Sequence, residues 1–290
     1  MAKVAVVGPG AVGGTVAAEL ARVHEVLVCA RTPFDRLEIE TPDGLMVASP
    51  RMVCDVAKAE PVDWVLVATK AYDHASTALW MRALASPHTR FAILQNGVEH
   101  VERFAPYVEA ASIVPVVVDC SASRTAPGRI RLRRAGSLVV PSSPSGKAFV
   151  GLFAATQVAV TTSTNFTTAL FRKLCVNSVG AVPALLLKPG NIARIDAIAD
   201  LMRELVRECI TVGRKEGAEL SDDLADVIVT NMQGAADDVM NSLHSDRARG
   251  LPMEVDARNG AIVRLGKKHA IATPMNQVMA ALLEAVNVRD

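Results

Sequence analysis

Val4-Ala5-Val6-Val7-Gly8-Pro9-Gly10-Ala11-Val12-Gly13-Gly14-Thr15-Val16-Ala17-Ala18-Glu19-Leu20-Ala21 is the stretch that decides the fold. Its first four residues read as a short strand covered on both faces. Gly8, Gly10 and Gly13 then fall in the pattern G-x-G-x-x-G, and an alanine-rich helix follows. His24-Glu25-Val26-Leu27-Val28-Cys29-Ala30 reads as a second strand. The whole is a βαβ unit of about thirty residues, the setting in which this otherwise weak pattern signals dinucleotide binding. Glycine allows the tight turn and the approach of backbone to a pyrophosphate. The helix N-terminus offers free N–H groups and a positive dipole end to the phosphates. Gly8, Pro9, Gly10, Ala11, Val12 and Gly13 are therefore candidate cofactor-binding residues.

Outward from this unit, further apolar runs at 64–69, 91–95 and 113–118 join 3–7 and 25–30 as strand candidates. They are rich in Val, Ile and Leu and do not alternate, as strands of a parallel sheet covered on both sides should not. Helices or loops fill the gaps, including 73–86 and 98–107. Arg129-Ile130-Arg131-Leu132-Arg133 does alternate, and Ser137-Leu138-Val139-Val140 follows. Both read as antiparallel strands appended to the same sheet. A helix at 147–154 and a strand at 157–162 close this half. Beyond Thr164-Asn165 helical periodicity takes over, at 166–186, 193–217, 221–242, 252–269 and 274–287, with Pro183 expected to kink or end the first helix. The expected fold class is α/β: a doubly wound sheet over residues 1–165 and an all-α domain over 166–290.

A length of 290 residues suits two domains. With 31 basic and 30 acidic side chains the net charge is +1, which gives no reason to expect nucleic acid or an anionic membrane as partner. Aromatic residues at 4% are too few for base-stacking platforms. The five cysteines are scattered and odd in number, without a C-x-x-C or Cys/His cluster, so neither a disulfide framework nor a metal site is expected. That points to a reducing, cytoplasmic compartment. Met1-Ala2-Lys3 before an apolar stretch imitates a signal peptide, but the spaced glycines with Glu19 and Arg22 fit strand, turn and helix better. No uninterrupted apolar run of about eighteen residues occurs, so no transmembrane helix is expected.

The end of the second strand separates NAD from NADP, because an acid there binds a ribose 2′-hydroxyl and a base accommodates a 2′-phosphate. The strand here runs into Ala30-Arg31-Thr32, with no acid between Val26 and Phe34. Arg31 offers a planar fork suited to phosphate, which favours NADP(H). Two more strands end in polar residues, Thr69-Lys70 and Gln95-Asn96-Gly97. Ligands bind beyond the carboxyl ends of strands in such sheets. Asn-Gly is also an ordinary turn pair, and a lysine is an ordinary surface residue.

In the helical half, Lys173 and Asn177 are spaced i, i+4 on a mostly apolar helix and share a face. A lysine there suits general-acid donation to a carbonyl oxygen, and equally suits plain extension to solvent beside Arg172. Glu254 and Asp256 fall early in a helix, where acids favour the dipole, and Arg258 can pair with Glu254 four residues away.

These segments together resemble the ketopantoate reductase family (2-dehydropantoate 2-reductases). The resemblance spans nearly the whole chain: Gly8-x-Gly10-x-x-Gly13, Arg31, Thr69-Lys70-Ala71, Asn96-Gly97, Arg172-Lys173-Leu174-x-x-Asn177, and Ser242 through Asn259-Gly260. It implies a Rossmann domain, a helical C-terminal domain, and NADPH-dependent reduction of a small 2-oxo acid, most simply ketopantoate to pantoate in pantothenate biosynthesis. It implies Lys173 as general acid, with Glu254 binding substrate and holding the lysine. Asn96 then touches both nicotinamide region and substrate. Asn177 and Ser242 hydrogen-bond the substrate, and Thr69 and Lys70 contact the cofactor. The family pattern has a second asparagine one turn beyond Asn177, where this chain has Ala181. That leaves room for a paralogous reductase acting on another 2-oxo or 3-hydroxy acid. A non-catalytic NADP(H)-binding sensor is the third reading, which leaves Lys173, Asn177, Ser242 and Glu254 without a task. The apolar C-terminal helices offer a surface for a homodimer.

Overall fold

The apolar runs of the N-terminal half pair as parallel strands in a computed structural model that describes residues 1–236 and 240–287. In chain order they are β1 (Lys3–Val7), α1 (Ala11–Leu20), β2 (Glu25–Cys29), β3 (Leu37–Thr41), β4 (Gly44–Ala48), β5 (Arg51–Val53), β6 (Trp64–Val67), α2 (His74–Ala83), β7 (Arg90–Ile93), α3 (His100–Phe104) and β8 (Ile113–Pro115). Six of the strands form one parallel sheet in the order β5-β2-β1-β6-β7-β8. Strand order reverses beside β1, at the point where such sheets bind ligands. Alternate residues of β1 serve opposite faces: Val4 and Val6 join one apolar cluster, Ala5 and Val7 the other. Both faces are covered, which is why the sequence shows an unbroken apolar run.

The segment after β8 departs from expectation. β9 (Val117–Ala126) and β10 (Arg129–Pro141) are antiparallel, but they are not appended to the parallel sheet. They build a second sheet with β3, β4 and, after α4 (Pro144–Leu152), β11 (Ala159–Ser163). The expected two short strands at 129–133 and 137–140 are one thirteen-residue strand, β10, carried through by register shifts against β9. Alternating Ile130, Leu132 and Leu138 turn inward, and α1 lies between the two sheets, its Val16, Ala17 and Leu20 packing with Val4, Leu37, Ile39, Ile130 and Leu138. Strands β3 and β4 had no counterpart among the expected elements, although Leu37-Glu38-Ile39-Glu40 alternates in the same way.

The remaining elements are helical: α5 (Phe166–Val179), α6 (Ala181–Leu186), α7 (Asp196–Lys215), α8 (Leu224–Gln233), α9 (Ser242–Ala248), α10 (Ala261–Lys268) and α11 (Pro274–Ala285). They enclose a core of their own around Leu174, Val179, Met202, Leu205, Val206 and Val229. Pro183 interrupts the first helix as expected. Its ring opposes the carbonyl four residues back, and that residue, Val179, is the last of α5. The helix expected over 221–242 stops at Gln233, beside Gly234, and α9 starts anew where Asn241 accepts a bond from the His244 N–H at 3.0 Å. Residues 237–239 of that expectation lie outside the described residues. The helix expected over 252–269 is instead a five-residue π-turn, Asp256–Gly260, leading into α10, with the Gly260 N–H donating to the Val255 carbonyl at 3.1 Å.

The stretch Phe166–Leu186 is, by length and composition, apolar enough to cross a membrane, which the sequence reading did not expect. Most of it is buried against the other C-terminal helices, as the core helix of a folded domain would be.

By contacts the chain divides into two units, Met1–Gln95 with Glu99–Phe166, and Asn96–Val98 with Thr167–Asp290.

Candidate active site

In the first unit the glycine turn has the shape of a phosphate cradle. Gly8 sits at φ +89°, and a Cβ there would stand 2.8 Å from the Thr69 backbone nitrogen. A Cβ on Gly13 would meet the Gly8 carbonyl oxygen at 2.3 Å. Both positions are thus closed to any side chain. Gly10 is the opposite case: nothing lies within 4 Å of its Cβ position, and it begins α1 with no side chain capping the helix. Open space therefore faces the uncapped N–H groups of the first turn, Ala11, Val12 and Gly13, while Pro9 is buried beneath. This arrangement fits a dinucleotide pyrophosphate.

Arg31 follows β2 with its side chain 88% exposed, 4.0 Å from the Asp73 carboxylate. It is free to swing onto an incoming phosphate. Thr69 is committed differently. The Thr77 hydroxyl donates to the Asp73 carbonyl at 2.9 Å, so in the 2.7 Å contact between the two hydroxyls Thr69 must donate. Thr69 also accepts from Gln95 Nε2 at 2.9 Å. Its hydroxyl hydrogen is spent on Thr77 of α2, its oxygen accepts from Gln95 just beyond β7, and its methyl packs against Gly8. Lys70, next in line, is half-buried.

The second unit brings together residues from three distant parts of the chain. Asn177 Nδ2 donates to Asn96 Oδ1 at 3.3 Å, and Asn96 Nδ2 donates to Glu254 Oε2 at 3.0 Å. Since a carboxylate only accepts, this relay fixes which way each amide points. Glu254 is 4% exposed and Asn177 8%. Lys173 lies one turn before Asn177 on α5 and is half-buried, while Arg172 is exposed. The lysine, not the arginine, is thus on the side of the helix that carries the amide relay. Gly97 makes the approach possible: it lies at φ +113°, and a Cβ there would stand 3.1 Å from the Ala257 carbonyl.

The π-turn that carries this edge of the site is anchored from below. Asn259 Nδ2 donates to Asn276 Oδ1 at 2.9 Å and to the Ser178 carbonyl at 3.3 Å. Asn276 in turn donates to the Leu205 carbonyl and to Glu208. Asn259 therefore shapes the site from within the core.

Ser242, at the start of α9, is exposed, and its Oγ accepts from Arg258 Nη2 at 2.7 Å. Arg258 is the residue that sequence reasoning missed. The spacing suggested an ordinary helix ion pair with Glu254; the guanidinium is 2% exposed, feels the charge of Glu254 and donates its hydrogen bond to Ser242. Burial pushes its pKa down, and the charges of Glu254 and Asp246 oppose that push. A buried arginine flanked by acids leaves no mark in spacing, because only the π-turn directs it inward. Ala181 is fully buried in the helical core, so the position carries packing and no polar group. Among the described residues no group of three or more His, Cys, Asp or Glu side chains is placed to hold a metal ion.

The family model described as ketopantoate reductase PanE/ApbA matches residues 4–145, and its C-terminal counterpart matches residues 165–287. A 2-dehydropantoate 2-reductase of Caulobacter vibrioides is 52% identical over 98% of this chain and 99% of its own length. Among solved structures, a PanE/ApbA family ketopantoate reductase from Ralstonia eutropha superposes with a TM-score of 0.89 at 31% identity, covering 98% of each chain. A dimeric ketopantoate reductase from Staphylococcus aureus shares the fold, with a TM-score of 0.87 at 24% identity over 98% of each chain. Glycine cradle, amide relay and full-length similarity agree: the chain belongs to the ketopantoate reductase family.

Proposed function

We propose that this protein reduces 2-dehydropantoate (ketopantoate) to pantoate with NADPH, a step of pantothenate synthesis. The observation that carries the reading is the Asn177–Asn96–Glu254 relay on the unit that also carries Lys173. Residues 8–13 would hold the pyrophosphate of NADPH and Arg31 its 2′-phosphate, and the cofactor when bound would supply the hydride for the ketone carbon. Lys70 would border the cofactor, and Thr69 shapes the turn through Gly8. As the ketone oxygen gains negative charge, Lys173 holds an ammonium toward it and gives up one proton, leaving a secondary alcohol and a neutral amine that solvent reprotonates. Glu254, kept in place by Asn96, favours the charged form of that lysine. Asn96 and Asn177 orient the substrate, and Ser242 binds its carboxylate or hydroxyl.

Ala181 favours a second reading in which the oxo acid differs from ketopantoate, since no amide is available there. Steady-state NADPH and NADH oxidation with ketopantoate and a panel of small 2-oxo acids tests both. Turnover of ketopantoate with NADPH preferred is the expected result. Turnover of another oxo acid alone selects the second reading, and binding of NADPH with no turnover of any substrate selects a sensor.

The exposed apolar residues Val278 and Leu282 of α11, with Val286 just beyond its end, support a homodimer, and one structural relative is dimeric. Sedimentation at micromolar concentration tests it. Five cysteines, odd in number and scattered along the chain, accord with a reducing, cytoplasmic compartment.

A further inference from the structure

Arg258 is an expensive residue to bury. Its side chain is enclosed by the helical unit, its Nε has no hydrogen-bond partner, and its one bond to a side-chain hydroxyl goes to an exposed serine. A structural arginine would be expected to spend its donors on core carbonyls, as Arg247 does on those of Ala184 and Leu185.

A guanidinium donates and never accepts. Ser242 Oγ therefore uses a lone pair on Arg258, and its single hydrogen must point elsewhere. Among the described residues that hydrogen has no acceptor. We infer that Arg258 is a positioning residue that turns Ser242 into an outward hydrogen-bond donor and so makes this corner of the site specific for the carboxylate of the 2-oxo acid. The inference rests on the proposed function and adds a specificity element to it. Charge acts in the same direction: a cation behind the hydroxyl polarises the O–H bond and favours an anion in front of it. Asp246 and Glu254 supply the charges that keep the guanidinium ionised within the fold. The substrate then meets a hydroxyl rather than the guanidinium itself, and the charge behind that hydroxyl is what favours a carboxylate over an amide.

A double-mutant cycle between Arg258 and Ser242 tests this, with NADPH saturating and NADPH affinity read separately by fluorescence. Arg258→Met should raise the KM for the oxo acid by about tenfold or more, the scale of a lost hydrogen bond to a charged group, with kcat and NADPH affinity changed far less. Preference for the oxo acid over its primary amide should shrink together with it. In the Ser242→Ala background the same substitution should change KM by less than about twofold. Arg258→Lys should recover part of the loss, and Arg258→Gln takes the place of Arg258→Met in the cycle if the latter does not fold. An equal effect of the Arg258 substitution with and without Ser242, or an unchanged preference between acid and amide, overturns the inference. Wild-type protein that turns over no oxo acid overturns the proposed function instead, so the two failures are distinct.

Discussion

Asn96 donates its amide hydrogen to the Glu254 carboxylate across 3.0 Å, although 158 residues of chain separate them. The contact joins a turn that follows the parallel strand β7 to the segment leading into the π-turn of the helical unit. It leaves Glu254 one fixed orientation. Asn96→Asp places a second carboxylate at the same distance. Two carboxylates that close cannot both ionise, so one retains its proton. The expected result is a loss in kcat of about 10²-fold at neutral pH, with the carboxylate limb of the pH–rate profile displaced upward from that of the wild type. A pH–rate profile parallel to that of the wild type contradicts this role for the pair.

Arg31 is exposed just beyond the end of β2, in a stretch of sequence with no acid between Val26 and Phe34. Arg31→Asp should weaken NADPH by about tenfold or more and leave NADH unchanged or improved. Fluorescence titration of both nucleotides decides it, and equal weakening of the two is the contrary outcome.

His100 is buried, with Nε2 bonded to the Gln95 carbonyl at 3.0 Å, and burial pushes its pKa down from 6.5 to about 4. The unfolded chain therefore takes up a proton near pH 6.5, while the folded one stays neutral until about pH 4. The unfolded state binds more protons throughout that window, so stability declines as pH falls across it, by at most about 3 kcal/mol. Urea unfolding between pH 7 and pH 4 should show the decline, and His100→Gln should flatten this component. A His100→Gln profile identical in slope to the wild type contradicts the assignment.

Gly97 holds a φ of +113° against the Ala257 carbonyl. Gly97→Ala adds both an unfavourable backbone conformation and a contact shorter than normal. It should lower stability by about 1–3 kcal/mol and reduce activity through displacement of Asn96. Thermal unfolding and kcat measured on the same preparation test the two effects. A variant with the stability and kcat of the wild type contradicts the argument.

What was legible in the sequence follows from what packing each element meets. Strands β1, β2, β6, β7 and β8 are buried on both faces, so they appear as short unbroken apolar runs. Strands β3 and β10 are half-buried and carry Glu or Arg at alternate positions, which marks them as strands without saying which sheet they join. That is decided by α1, which needs an apolar cover on the side away from the parallel sheet. In the helical half, Lys173 and Asn177 were legible because i, i+4 spacing reports a shared face. Glu254 and Ser242 were implied by family resemblance alone, since acids near a helix start and a serine near a cap have ordinary explanations. Arg258 was not legible: its direction is set by a π-turn, and that turn is held by the buried Asn259–Asn276 bond. Regular 3.6-residue periodicity cannot express a five-residue turn.

Lys173 is proposed to protonate the ketone oxygen of a 2-oxo acid. The most direct test of this role is kcat for ketopantoate reduction by wild-type protein and by Lys173→Ala, both saturated with NADPH and substrate, with NADPH affinity as the control. The expected result is a fall in kcat of about 10²-fold or more with NADPH affinity nearly unchanged. A Lys173→Ala protein that keeps the kcat of the wild type contradicts the account.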